Sequence, residues 1–209
     1  MIVLLIASLL TPFDLHLLAA GEQMLAQGKQ PAPAAERDVQ RIAMAGWMAA
    51  RALAPKGGAV ELLGPVNIRL RELDAMPNTS ARYAEVAIRA AVSAAQEERE
   101  EMALFLDHAR DLSKQMALAG APAQWPVPID ELEGELWLEV DRFAEAKDAY
   151  ERATKSTGSP NAWIGLARAN DRLGDLIGAC AAYTRASATP GLPTTAELEV
   201  SLYLLKCQA

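Results

Sequence analysis

The sequence predicts an all-α protein built from stacked antiparallel helical hairpins. Three observations carry this. Alanine is abundant while aromatic residues make up only 5% of the chain, a composition that favours helix over strand wherever a segment is otherwise undecided. Apolar residues recur at helical spacing, and no run alternates as a strand would. RFAEAKDAYERA at 142–153 is echoed thirty-three residues later by DLIGACAAYTRA at 175–186, and repetition at a fixed spacing marks a repeated structural unit.

The totals narrow the function classes. A chain of 209 residues suits one domain or a small pair. A net charge of −7 repels phosphate backbones and argues against nucleic acid as a partner. Cys180 and Cys207 form no CxxC motif, and Cys180 in its Ala-rich helix reads as a small core residue. Cysteine usage therefore leaves the compartment open, with the cytoplasm favoured. Two readings fit residues 1–20, MIVLLIASLLTPFDLHLLAA. One is an uncleaved first helix. The other is an atypical signal or anchor, lacking the usual basic start and too short to span a bilayer comfortably, which would make the chain periplasmic, secreted or membrane-anchored.

In chain order, helices are expected over 13–28 and 36–54, joined by QPAPA, whose Pro31 and Pro33 suit a loop and a first turn. Ile42, Met44, Trp47, Met48 and Leu53 give the second helix its apolar face, and APKGG at 54–58 ends it. A shorter helix over 65–76 uses Ile68, Leu70 and Leu73, and NTS at 78–80 supplies cap residues for the next. The charged knot QEEREE at 96–101 splits 81–118 into two amphipathic helices, a degenerate repeat unit in which Met102, Leu106 and Ala109 would face the core. The proline-rich GAPAQWPVP is read as an extended connector over 120–128, with Trp125 a packed anchor, separating an N-terminal region 1–119 from the rest. Two helix pairs follow, 129–141 with 143–156 and 161–173 with 175–187. TTAE at 194–197 makes a capping box for a last helix ending near 206.

The echoed residues have a mechanical reason. Ala146 and Ala179 suit close helix crossings, Tyr150 and Tyr183 fill gaps one turn later, and Ala153 and Ala186 mark the next crossing along the same face. In the second unit, Trp163, Leu166, Ala167, Gly174, Leu176, Ala179, Tyr183, Ala186 and Pro190 follow one another as in a tetratricopeptide repeat, and the chain resembles that family over 129–190. The first unit matches at Gly134, Trp137, Phe143, Ala146, Tyr150 and Ala153. It departs at Asp130 and Glu133, and Asp141 replaces the turn glycine. The offset is one short of the usual ~34 residues. The resemblance implies a superhelical array with a concave groove for a partner peptide or domain, without catalysis or a cofactor.

Catalytic material is sparse. His16 and His108 stand alone, no nucleophile elbow or phosphate loop occurs, and Gly57–Gly58 reads as a turn. Glu131, Glu135 and Glu139 fall at i, i+4 and i+8 on one stripe of a helix. Aligned with the repeat family, that stripe faces the groove, as would Asn161, Arg168, Asp171 and Arg172 of the next unit. A row of like charge selects a basic or mixed-charge partner segment, although three glutamates on a helix also suit plain solvated surface. The last helix is apolar on more than one side, which fits either an end cap or self-association. The expected function is thus a non-enzymatic scaffold or adaptor that binds another protein. The alternatives are an envelope-associated accessory protein of a transport or assembly machine and, more remotely, an enzyme or small-molecule carrier using a pocket among helices 13–118.

Overall fold

The computed structural model describes residues 34–54, 57–120 and 127–207. The two readings of residues 1–20, the helix 13–28, His16, Pro31, Pro33 and Trp125 lie outside them, as does most of the 120–128 connector. The described residues are helical, with no strand among them. The helices are α1 (Ala34–Arg51), α2 (Gly64–Asp74), α3 (Thr79–Ala95), α4 (Arg99–Leu118), α5 (Ile129–Glu139), α6 (Phe143–Ser156), α7 (Pro160–Arg172), α8 (Leu176–Ala188) and α9 (Thr194–Lys206). A 3₁₀ turn at Val60–Leu62 precedes α2. No described helix is long and apolar enough to cross a membrane. The chain divides into two compact units, Met1–Ile129 and Asp130–Ala209.

The first unit is organised around α3, which packs against α1, α2 and α4. Asn78 caps it, its side chain accepting from the Ala81 amide at 2.7 Å. Ala81, Ala84, Ala87, Ala90, Ala91, Ala94 and Ala95 are all buried, so neighbouring helices approach α3 from several sides. A helix this small and apolar around most of its circumference belongs inside a bundle, and the amphipathic face expected for 81–95 is widened to nearly all of it. The chain turns between α3 and α4 at Gln96–Glu98, where Glu97 takes φ +60°. On α2 the inward stripe is Val66, Leu70 and Leu73, at i, i+4 and i+7. Ile68, expected inside, is half exposed because it falls between those rows. Tyr83 closes the far end of the unit by donating its hydroxyl to the Val127 carbonyl at 2.6 Å.

In the second unit the repeated residues do repeated work. Ala146, Ala153, Ala179 and Ala186 are fully buried, and Tyr150 and Tyr183 nearly so. The backbone repeats with the side chains: Asp141 and Gly174 both take left-handed φ, +59° and +79°, in the turns after α5 and α7. Gly158 and Gly191 do the same after α6 and α8, at +59° and +86°. Asp141 can stand for glycine there because a short polar side chain tolerates that region better than most. Ser159 caps α7 by accepting from the Ala162 amide at 3.0 Å, and Asp175 caps α8 by accepting from Gly178 at 2.9 Å. The last helix departs from expectation. It begins at Thr194 itself, with Pro193 in the cap position and no side-chain cap bond, so the capping box does not form. Pro193, fixed at φ −66°, presets the extended entry instead.

Tyr150 sets the spacing of three helices. A Cβ at Gly134 of α5 would lie 2.6 Å from its ring, and one at Gly165 of α7 only 2.1 Å. The ring is therefore held between two bare helix backbones. Gly165→Ala should destabilise the protein by about 1–3 kcal/mol, through overpacking against a ring that cannot move away, despite alanine's ~1 kcal/mol advantage in helix propensity. Thermal denaturation beside Gly64→Ala, where no atom lies within 4 Å of the added Cβ, measures this. A Gly165→Ala protein as stable as the Gly64→Ala control would show that the ring does not set the spacing.

Candidate functional site

The glutamates expected on a groove stripe are divided by the fold. Glu131 and Glu135 are only 4% and 6% exposed, which corrects the picture of a solvated acidic row. Glu131 accepts from Thr157 Oγ1 at 2.9 Å and Ser159 Oγ at 2.8 Å, hydroxyls supplied by the turn between α6 and α7. Burial pushes its carboxyl above the usual range, against the lowering effect of those two donors. Its effect on stability follows in sign: the raised folded value favours the folded state at acid pH, and that contribution fades as pH rises through it. Glu135 accepts from the Tyr150 hydroxyl at 3.2 Å. Glu139, in the last turn of α5, is half buried. Hydroxyls from α6 and from the turn after it thus hold Glu131 and Glu135 inward, where a spacing of four residues alone leaves the choice of face open.

The residues of α7 fare differently. Asn161 is half buried. Arg168 forms a two-pronged pair with Glu199 of α9, Nε to Oε1 at 2.8 Å and Nη2 to Oε2 at 2.6 Å. The Tyr183 hydroxyl donates to the same Glu199 Oε1 at 2.7 Å. Burial alone would lower the Arg168 pKa, but the Glu199 carboxylate outweighs it and holds the guanidinium above its ordinary value. Burial likewise pushes Glu199 up, and the bonds from Arg168 and Tyr183 more than reverse it, leaving the carboxyl below the usual range. Burial and the adjacent Glu199 charge push the Tyr183 phenol up.

Further along the same face, Asp171 and Arg172 are exposed. Arg172 pairs with Asp141 at 3.0 Å and lies over the Phe143 ring at 4.4 Å from its centroid. Asp171 accepts from the Tyr203 hydroxyl and lies 3.5 Å from Lys206. Burial and the Asp171 hydrogen bond raise the Tyr203 phenol to about 12. The face of α7 is thus cross-tied to the end of α5 and to α9 by alternating charges. Its inner pair is half sequestered and its outer pairs are wet.

Two features escaped the sequence reading. Cys180 and Cys207 form a disulfide with Cα atoms 5.8 Å apart, fastening the end of α9 to α8. Cys180 is therefore no free core thiol. A signal existed: Cys207 follows Val200 and Tyr203 on the helix side that faces the unit. The second is a cleft of about 140 Å³ in the first unit, whose lining includes Val66, Leu70, Val92 and Phe105 together with Arg89 and Glu101. Its cation is already engaged, since Arg89 pairs at 2.9 Å with Glu85, which Arg82 also contacts at 2.7 Å. Among the described residues no group of histidine, cysteine or carboxylate side chains could hold a metal, and His108 is exposed on α4. No family model matches the chain, nor does any curated protein or solved structure.

The Arg168–Glu199 pair makes a pH prediction. A carboxyl with a lowered folded pKa contributes stability above its unfolded value of about 4.3 and loses it as pH falls through the folded value. Glu199→Gln should cost about 1–3 kcal/mol at neutral pH, because Arg168 keeps its charge but loses its partner. The gap between the two proteins should close below about pH 4. Urea titrations across pH 3–8 measure it, and a gap that stays constant with pH would show that Glu199 is not held in its charged form.

Proposed function

We propose that this chain is a non-enzymatic interaction protein whose second unit is a tetratricopeptide-like array that grips a mixed-charge segment of another protein. Supporting the repeat reading, the small–large–small side chains and the left-handed turn positions recur together at one offset. The observation that carries the binding reading is the row of solvent-exposed ion pairs along α7. The Asp141 and Arg172 side chains are 66% and 57% exposed, and pairs so wet contribute about 0–1 kcal/mol to the fold. A partner's own charges can therefore replace them at small cost, while Phe143 and Tyr203 beneath offer apolar contact. The Arg168–Glu199 pair, far less exposed, holds the face rigid during that exchange. The partner segment is expected to carry acidic and basic residues in alternation rather than a uniformly basic run, because the glutamates that would have selected a basic one are buried.

Affinity capture from the source cells, read by mass spectrometry, tests this by comparing wild type with an Asp171→Lys, Arg172→Glu double variant. Both residues are exposed, so circular dichroism should show the variant folded. A partner held by wild type should bind the variant at least about tenfold more weakly, as expected for reversed charges at an interface. Equal capture by both proteins would overturn the assignment of this face.

The disulfide favours one refinement, an accessory role in an oxidising compartment such as a bacterial envelope or the cell exterior, because structural disulfides persist there and are rare in a reducing cytosol. Closing the 27-residue separation between Cys180 and Cys207 is worth roughly 3–4 kcal/mol on chain-entropy grounds. Reduction, or Cys180→Ser with Cys207→Ser, should lower the unfolding midpoint of the second unit accordingly. Thiol alkylation in intact cells before lysis separates the readings: two unmodified cysteines place the chain in an oxidising compartment, and two alkylated cysteines place it in the cytosol.

A further inference from the structure

Among the described residues none covers the outer side of α9, which is apolar. Leu198, Leu202 and Leu205 are 68%, 58% and 64% exposed, while Ala196 and Val200 are 3% and 2% exposed. At about 100° per residue, the three leucines form one stripe, and Ala196, Val200 and Cys207 lie on the opposite side. One apolar side is enough to close the end of a helical unit, and its outer side is then expected to be polar. We infer that the leucine stripe is a self-association surface, on which a second copy of this chain lays its own α9 antiparallel to the first.

The flanks of the stripe select that occupant. On one flank stand Glu199 and Lys206, seven residues apart. On the other stand Thr194 and Ser201, also seven apart, with the exposed Glu197 beyond them. Two helices related by a two-fold axis across their length bring like flanks together, head to tail. Leu198 then lies level with Leu205 of the copy, Leu202 sits near the axis, and Lys206 reaches Glu199 of the copy on both ends of the same flank. On the second flank the Thr194 and Ser201 hydroxyls lie nearer the stripe and permit close approach, while Glu197 and its copy stand about nine residues of helical rise, roughly 13 Å, apart. A parallel copy would set the two flanks against one another, with Glu199 beside Glu197 of the copy and no acid level with Lys206. Lys206 can reach across, since its side chain is 59% exposed and its own contacts, Asp171 at 3.5 Å and the Tyr203 ring at 4.8 Å from the centroid, are exposed ones that exchange at small cost. Glu199 has capacity too, since a carboxylate accepts about four hydrogen bonds and Arg168 and Tyr183 supply three.

The surface is also held in place. Cys207 at the end of α9 is bonded to Cys180 of α8. The disulfide therefore fixes the helix that carries the stripe from its opposite side. Association through such a patch needs no ordering of a loose segment, a cost that otherwise weakens binding.

Sedimentation equilibrium on the full oxidised chain tests the inference. Wild type should show a monomer–dimer equilibrium, with a Kd of roughly 1–100 μM for a patch of this modest size. Leu202→Glu sets two carboxylates near the axis and should raise that Kd at least about thirtyfold. Lys206→Glu should raise it several-fold by opposing Glu199 of the copy. Leu104→Glu, at a 70% exposed leucine of α4, should change nothing. Circular dichroism melts report whether each variant folds, and Leu205→Lys replaces Leu202→Glu if that variant does not. A wild-type chain that stays monomeric to about 1 mM, or a dimer that survives Leu202→Glu and Leu205→Lys, overturns the surface. A dimer indifferent to Lys206→Glu overturns its antiparallel arrangement, and one weakened by Leu104→Glu places the contact elsewhere.

Discussion

The second unit depends on one steric constraint, the insertion of the Tyr150 ring between α5 and α7 where both backbones lack a Cβ. Gly134 and Gly165 each make room for the same ring, so two helices that are distant in sequence are spaced by a side chain from a third. The ring is apolar for most of its length and ends in a hydroxyl, which burial alone would leave unsatisfied. Glu135 accepts from it, and burial together with that neighbouring charge pushes the phenol far above its ordinary pKa. One residue therefore sets helix spacing and requires a buried acceptor on α5. Tyr183 repeats the hydroxyl-to-carboxylate half of this one unit later, with an acceptor, Glu199, from the following helix.

That requirement explains why so many carboxylates of an acidic chain lie inside. Glu131, Glu133 and Glu135 are all less than 7% exposed, and a buried carboxylate without partners would be strongly unfavourable. Each is met by a donor from the next element: Thr157 and Ser159 for Glu131, Arg152 for Glu133, Tyr150 for Glu135. Ser159 serves twice, accepting from the Ala162 amide as a helix cap while donating to Glu131. Such shared partners fix the register of α5 against α6 and α7, because a shift by one residue would strand several charges together. Registry of this kind is the best-attested use of buried polar groups.

The sequence made helices legible because their signals are local. Asn78, within the NTS read as a cap, caps the helix that follows it, and the alanine–tyrosine–alanine spacing marks buried faces. Even the backbone of the turns was readable in outline, since Asp141 stands where Gly174 stands and shares its conformation. Partners across the fold were not legible. Nothing local says that Arg168 meets Glu199, thirty-one residues away, or that Cys180 meets Cys207. The glutamate stripe failed for a related reason. Periodicity gives the face on which residues lie, but whether that face meets water or a neighbouring turn's hydroxyls is decided by packing. Ile68 shows the same limit with the opposite sign, an apolar residue left outside by the rotation of α2.

Exposure separates the polar contacts of α7 and α9 into two kinds of work. Arg168 with Glu199, each side chain under a third exposed, resists exchange with water and carries rigidity. Asp141 with Arg172, each more than half exposed, adds little to stability and can open without loosening the fold. The two kinds sit within one turn of each other on α7, so a charged segment docking there would exchange the outer contacts while the inner pair keeps the helices in place. The leucine stripe of α9 lies apart from that exchange, on the outer side of a helix whose inner side is bonded to α8. An apolar contact on one side and a charge-selective one on the other need not compete for the same residues, with Lys206 alone placed to feel both.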